Sequence, residues 1–190
     1  MAKKIYKTTV DIDGGDWGGR ADSNQGLLEG LPIILELFRA YKVQGLFFVS
    51  TELLAEHAGL IRNVKDHGHE IGSHGHFHTV FKSRSRQQQN KEIAEQLLKA
   101  YGVARDPIAF RAPKFSYEVP GEVYSSREGH IGLIRSTLGL DKPTSDSILY
   151  LHPFDIVEPK TKAPNLFCNL WYSHFKKATA TLESLLNQRS

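Results

Sequence analysis

His69-Glu70-Ile71-Gly72-Ser73-His74-Gly75-His76-Phe77-His78 is the stretch that decides how the chain is read. His69–Ser73 reads as a short strand, and three imidazoles follow at alternate positions at its C-terminal end. Neutral imidazole is the commonest protein metal ligand. His74 and His78 are four residues apart, so both can converge on one ion if the chain coils after His74. A bland alternative is a polar loop that happens to be rich in histidine. It loses ground because the same arrangement, a strand that ends in reactive side chains, recurs along the chain.

Working outward, Lys4–Ile12 is rich in β-branched residues and ends in Asp11-Ile12-Asp13-Gly14, a strand followed by a loop. Gly14–Gly26 is a long polar loop carrying Trp17 and Arg20. Apolar residues at Leu27, Leu31, Ile34, Leu35 and Phe38 predict an amphipathic helix over Leu27–Tyr41, regular from about Pro32. Gly45–Val49 reads as a buried strand that hands over at Ser50-Thr51 to a helix cap. Glu52–His67 then forms a helix closed by Gly68.

Downstream, Asn90–Tyr101 is a helix with Ile93, Leu97 and Leu98 inward. Pro107–Arg111 is a strand running into Phe110-Arg111-Ala112-Pro113, and His130–Leu138 is helical. Ser147–Leu151 is a strand ending in His152-Pro153-Phe154-Asp155. Pro153–Pro164 is a loop, Leu166–Tyr172 is apolar and aromatic, and Phe175–Leu186 is a closing amphipathic helix. Strands alternating with helices imply an α/β fold with a mostly parallel sheet. Polar signature residues follow the first, third, fourth and last strands at the end where such folds build sites.

A length of 190 residues predicts a single domain over 1–190. With 40% hydrophobic and 24% charged residues the chain can bury a core. A net charge of +3 without long basic runs argues against nucleic acid as a partner. One cysteine, Cys168, excludes an intrachain disulfide. No signal-peptide-like stretch and no membrane-length apolar run is present, so the expected location is the cytoplasm. Leu166–Tyr172 beside Lys160 and Lys162 leaves a peripheral surface contact as a second reading, behind a barrel strand or core cover. Oligomeric state is not legible.

The chemistry follows from the residue types. Asp11 and Asp13 are two apart, and two close carboxylates are comfortable together only with a cation. One of them could bind it while the other stays free as a base. Two histidines and a carboxylate leave coordination positions open, and a divalent ion acidifies water. Arg111 could hold the free carboxylate through its planar fork, and His152 could supply a proton to a departing amine. Trp17, Phe77 and Phe115 could wall a sugar cleft, although aromatics are more often core.

Taken together these motifs resemble the polysaccharide deacetylases of the NodB-homology type, carbohydrate esterase family four. Val10-Asp11-Ile12-Asp13-Gly14 is similar to the spaced variant of that family's first motif. Glu70–His78 is similar to the His-x-x-x-His motif, Phe110-Arg111-Ala112-Pro113 to Phe-Arg-x-Pro, and Leu151-His152 to the closing Leu-His. The resemblance spans Tyr6 to Phe154 in the right order. It implies a distorted (β/α) barrel with fewer than eight complete units. It further implies Asp11 as base, Asp13, His74 and His78 as metal ligands, Arg111 orienting Asp11, and His152 as acid. Leu151 would line the acyl pocket, with Pro113 and Trp17 as further substrate-binding candidates. His76 is outside the family's ligand set. Only about forty residues separate Arg111 from His152, and the motif that normally supports the acid is not found; Asp141 or Asp146 could stand in.

The expected function is therefore metal-dependent removal of an N-acyl group, acetyl first, from an amino sugar, polysaccharide or sugar conjugate. Zinc is the first choice of ion, with cobalt, nickel or manganese accepted by the same donors. Three alternatives stand beside it. One is a metal-independent ureide hydrolase on the same barrel. Another is a non-catalytic sugar-binding member. The third is a haloacid-dehalogenase-type phosphatase, which Val10–Gly14 and Phe48–Thr51 also resemble.

Overall fold

The computed structural model describes residues 7–13, 24–158 and 175–188, and all structural statements concern these. Its five-stranded sheet has the order β3-β2-β1-β5-β4, where β1 is Thr8–Ile12, β2 Leu46–Val49, β3 Glu70–Ser73, β4 His130–Gly132 and β5 Ile148–Leu151. The pairs β2/β3, β1/β5 and β4/β5 are parallel. The row has two ends, so the sheet is open, in keeping with a distorted barrel. Parallel strands covered on both faces read as apolar runs, and Leu46-Phe47-Phe48-Val49 is buried at every position.

The chain groups into two compact units. One comprises Met1–Val10, Gly15–Gly45 and Gly129–Ser190. In it, helix α1 (Leu31–Ala40) buries Leu31, Ile34, Leu35 and Phe38, the 3.6-residue stripe expected from the sequence. The turn before it, Gly26–Gly30, is a π-helix, so regular geometry begins at Leu31 with Pro32 in the first turn. A π turn lets Gly26 and Gly30 lie against Phe154 and Pro153, where no side chain would fit. His130–Leu138 is half as helical as expected. Strand β4 takes its first three residues and α4 is only Leu133–Thr137. Ile131 pairs with Leu149 in β5, and three residues are too few to show a period. Helix α5 (Phe175–Asn187) closes this unit.

The other unit comprises Asp11–Gly14 and Leu46–Glu128. Ser50 and Thr51 stand where a cap was expected, but Ser50 makes no side-chain capping bond. A 3₁₀ turn, Thr51–Leu53, leads into α2 (Leu54–Asp66). Gly68 ends that helix at φ 81°, with its N–H donating to Lys65 O. Helix α3 runs Arg84–Ala100, six residues longer at its start than the sequence suggested. Its first turns are Arg, Ser and Gln, which favour or tolerate a helix but carry no apolar stripe. Its buried face is Asn90, Ala94 and Leu98, whereas Ile93 is 37% exposed. Pro107–Arg111 is not a ladder strand. Pro107 lacks the N–H, and only Phe110 bridges to Ser73. No helix among the described residues is long and apolar enough to cross a membrane.

Candidate metal centre and its neighbours

The second unit brings five of the sequence-derived candidates together as two groups. Strand β1 carries Asp11 and ends at Ile12, with Asp13 directly after it, and both acids are buried, at 3% and 7% exposure. After β3 the chain curls through Gly75 at φ 88°, which returns His78 towards His74. The two rings stack at 5.1 Å between centroids, and His78 Nε2 lies 3.2 Å from Asp13 Oδ2. One ligand atom each from Asp13, His74 and His78 lies within 4.8 Å of the others.

His74 has a defined tautomer. Its Nδ1 is 2.8 Å from the carbonyl oxygen of Arg111. A carbonyl only accepts, so Nδ1 carries the proton and Nε2 presents its lone pair. This is how a ligating histidine is usually held, through its remote N–H on a carbonyl. Two neutral ring nitrogens and one buried carboxylate are the donor set a borderline divalent ion takes. Burying a carboxylate is costly without a compensating charge, and a cation in this set supplies one. The residues present fit a metal.

Asp11 is engaged elsewhere. Arg111 is fully buried, and its Nη1 donates to Asp11 Oδ1 at 2.6 Å. Its Nε reaches the carbonyl of Tyr124 at 3.3 Å. Phe48 and Phe115 lie 4.4 Å and 5.0 Å from the guanidinium carbon. Phe115 gets there because Lys114 and Phe115 both adopt left-handed backbone, φ 56° and 52°. Each such non-glycine residue costs roughly 1–2 kcal/mol. Phe115 thus borders Arg111, and Phe77, the other aromatic proposed for a cleft wall, is 47% exposed beside His78.

The curl itself is held by residues that periodicity did not mark. Thr51 Oγ1 is 3.0 Å from His76 Nδ1, which explains the third histidine without making it a ligand. Glu52 Oε1 accepts the His78 N–H at 3.1 Å, and Asn90 bonds the backbone of Phe77. Of these, Thr51 was legible as part of a helix cap and Asn90 as a helix start, and neither signal pointed to the curl.

Pro113 is buried at the start of a short 3₁₀ turn, Pro113–Phe115. Leu151 and His152 belong to the first unit. Leu151 is fully buried in β5, and His152 is 7% exposed at its end. His152 stacks on Phe154 with centroids 4.7 Å apart. The stand-ins expected to support it are used otherwise. Asp141 binds Arg135 and the Gly132 N–H, and the Asp146 side chain is 96% exposed near Lys7. Asp155 is the carboxylate beside His152, with Oδ2 3.6 Å from Nδ1. Trp17, most of the Gly14–Gly26 loop and Leu166–Tyr172 lie outside the described residues.

The sequence profile of the polysaccharide deacetylases matches residues 23–121, more than half of the chain. The chain belongs to the polysaccharide deacetylase family. The matched range includes His74, His78 and Arg111 and stops short of the Asp11–Asp13 and Leu151–His152 motifs. Membership displaces the phosphatase alternative. The peptidoglycan-N-acetylmuramic acid deacetylase PdaA of Bacillus subtilis is 28% identical over 86 residues, 44% of this chain and 32% of that protein. The chain thus spans about a third of the length of this curated relative.

Solved structures show the same fold. A mutant of a Bacillus anthracis pseudoenzyme of carbohydrate esterase family four, with restored activity, superposes with a TM-score of 0.58 at 18% identity. That alignment covers 96% of this chain and 64% of the other. A family-four carbohydrate esterase from Streptomyces lividans, in complex with acetate, gives 0.54 at 12% identity, covering 95% and 89%.

Proposed function

We propose that this family member is a divalent-metal-dependent hydrolase that removes an N-acyl group, acetyl first, from an amino sugar or sugar conjugate. One observation carries the reading. Asp13, His74 and His78 place their ligand atoms within 4.8 Å of one another, while Asp11 is bonded to Arg111 instead. The pair of acids is therefore split into a ligand and a base. Zinc is the first choice for the three donors, ahead of cobalt, nickel or manganese.

A divalent ion held there supplies Lewis acidity towards water and an acyl oxygen. Asp11 takes the proton from the attacking water. The guanidinium at 2.6 Å favours its anionic form and fixes its orientation. Arg111 does two jobs, because its backbone carbonyl also sets the His74 tautomer. Protonation of the departing amine is assigned to His152, and acyl and sugar contacts to Leu151 and Pro113, on their motifs. A carbohydrate substrate is supported by the family and by the relatives' names.

Elemental analysis of the purified chain, followed by assay on N-acetylated chito-oligomers, peptidoglycan fragments, formylated amino sugars and allantoin, tests the reading. Asp11→Asn should keep its metal and lose about 10²–10⁴-fold in turnover, the usual worth of a general base. His78→Ala should lose both metal and turnover. Undiminished turnover in Asp11→Asn would remove the base, and a metal-free wild type that hydrolyses allantoin would replace the reading with the ureide one.

A further inference from the structure

Asn90 sits where a helix normally places an apolar residue. It is 7% exposed on the buried face of α3, in line with Ala94 and Leu98. A carboxamide buried there is costly unless its groups are bonded. Both of its side-chain hydrogen bonds go to the loop between the two ligand histidines. Phe77 N–H donates to Asn90 Oδ1 at 2.9 Å, and Asn90 Nδ2 donates to Phe77 O at 3.1 Å. The Asn90 backbone carbonyl accepts the His76 N–H at 3.1 Å. Gly75 completes the fit, because a Cβ added there would overlap Asn90 Nδ2.

We infer that Asn90 is a positioning residue for the metal centre, clasping the His74–His78 loop in the coiled form that carries both imidazoles to Asp13. The inference rests on the metal reading above. Phe77 immediately precedes His78, and the amide satisfies both of its backbone groups as a neighbouring strand would. Without that pair, the Phe77 N–H turns to water and Phe77 O keeps only the Thr79 N–H, so the Glu52 carboxylate on the His78 N–H is left to hold the backbone that aims the ring. Groups that orient metal ligands in this way are worth about 10–100-fold in affinity.

The test is competition titration of Zn²⁺ into the 190-residue chain, with thermal melts in EDTA recorded for each variant. Asn90→Ala should weaken Zn²⁺ binding about 10–100-fold. Leu98→Ala, two turns along the same buried face, should lower the EDTA melting temperature yet leave Zn²⁺ affinity within about twofold, since only the loop contact orients ligands. Gly75→Ala attacks the clasp from the loop side and should also weaken binding. Its effect should shrink, without vanishing, in the Asn90→Ala background, where the overlap is gone and the strain of a side chain at φ 88° stays. Should Asn90→Ala fail to fold, Asn90→Asp, which keeps the acceptor for the Phe77 N–H and loses the donor to Phe77 O, carries the test. Equal affinity in wild type and the clasp variants overturns the inference alone, as does a Leu98→Ala loss matching that of Asn90→Ala. A wild type that binds no Zn²⁺ overturns the metal reading and the inference with it.

Discussion

Removing the charge of Arg111 while keeping its bulk is the most informative single perturbation of the fold. The guanidinium is fully buried and 2.6 Å from an Asp11 side chain that is 4% exposed. At an effective dielectric near 20, two unit charges at that separation attract by about 6 kcal/mol before desolvation is counted. Much of this is offset by the cost of taking both ions out of water. The loss on deleting one partner is larger than the net worth of the pair, because the other is left buried and uncompensated; about 3–5 kcal/mol is usual.

Arg111→Met fills similar space between Phe48 and Phe115, so the cavity term stays small. Urea unfolding at pH 7 in EDTA should therefore show a loss of about 3–5 kcal/mol, a large share of a typical domain's 5–15 kcal/mol. Asp11→Asn with Arg111→Met should lose at least 2 kcal/mol less than the sum of the single variants, roughly the coupling expected of groups in contact. Zinc binding should persist in Arg111→Met, because the backbone carbonyl that holds His74 is untouched. A single-variant loss under about 1 kcal/mol, or additive effects in the cycle, would refute the argument that these two ions depend on each other.

Three further outcomes are expected. Gly30→Ala drives a Cβ into the Pro153 carbonyl and should cost roughly 1–3 kcal/mol by thermal or urea unfolding; an unchanged melting temperature would show that the π turn yields freely. His69 packs against Phe47, and burial, with His67 adding to it, lowers its pKa from 6.5 to about 4. Between those values the unfolded chain binds a proton that the folded one refuses. This contribution is therefore whole above pH 6.5 and shrinks as pH falls towards 4. His69→Gln should flatten the melting temperature against pH across that window; identical slopes would sink the idea. Zinc at a hundred times its dissociation constant should stabilise the wild type by about 2.7 kcal/mol, and His78→Ala should abolish the increment.

The parts of this protein that announced themselves in the sequence are those encoded over short range. Leu46–Val49 is apolar at every position, and Leu31, Ile34, Leu35 and Phe38 keep a helical period, so both were legible. The order of the motifs pointed to Asp13, His74 and His78, which lie on two strand ends and in one curl. What stayed hidden depends on long-range partners. Nothing in Pro107–Arg111 says that Ser73 offers it one bridge rather than a ladder. Asn90 could be read as a helix start, but the residue it serves is 13 positions away. Ile93 looked inward on hydrophobicity alone, but the buried face of the helix is Asn90, Ala94 and Leu98, and Ile93 is 37% exposed.

The same contrast applies to His152, where the neighbouring carboxylate is local. Pro153 starts a 3₁₀ turn directly after the histidine, and that turn brings Asp155 back to its own beginning. Asp155 Oδ2 accepts the His152 backbone N–H at 2.8 Å and lies 3.6 Å from Nδ1. A carboxylate three residues away spares a remote segment, which suits a chain with a short span between Arg111 and His152. Two consequences separate the structural from the chemical part of this contact. Asp155→Asn keeps an oxygen for the His152 N–H and should melt within a degree or two of wild type, whereas Asp155→Ala should lose about 0.5–2 kcal/mol, as other lost caps do. In the proposed reaction both substitutions remove the negative charge beside the imidazole. Both should lower turnover on whichever N-acyl sugar the wild type accepts, with zinc affinity unchanged. Wild-type turnover in both would leave Asp155 a cap and nothing more.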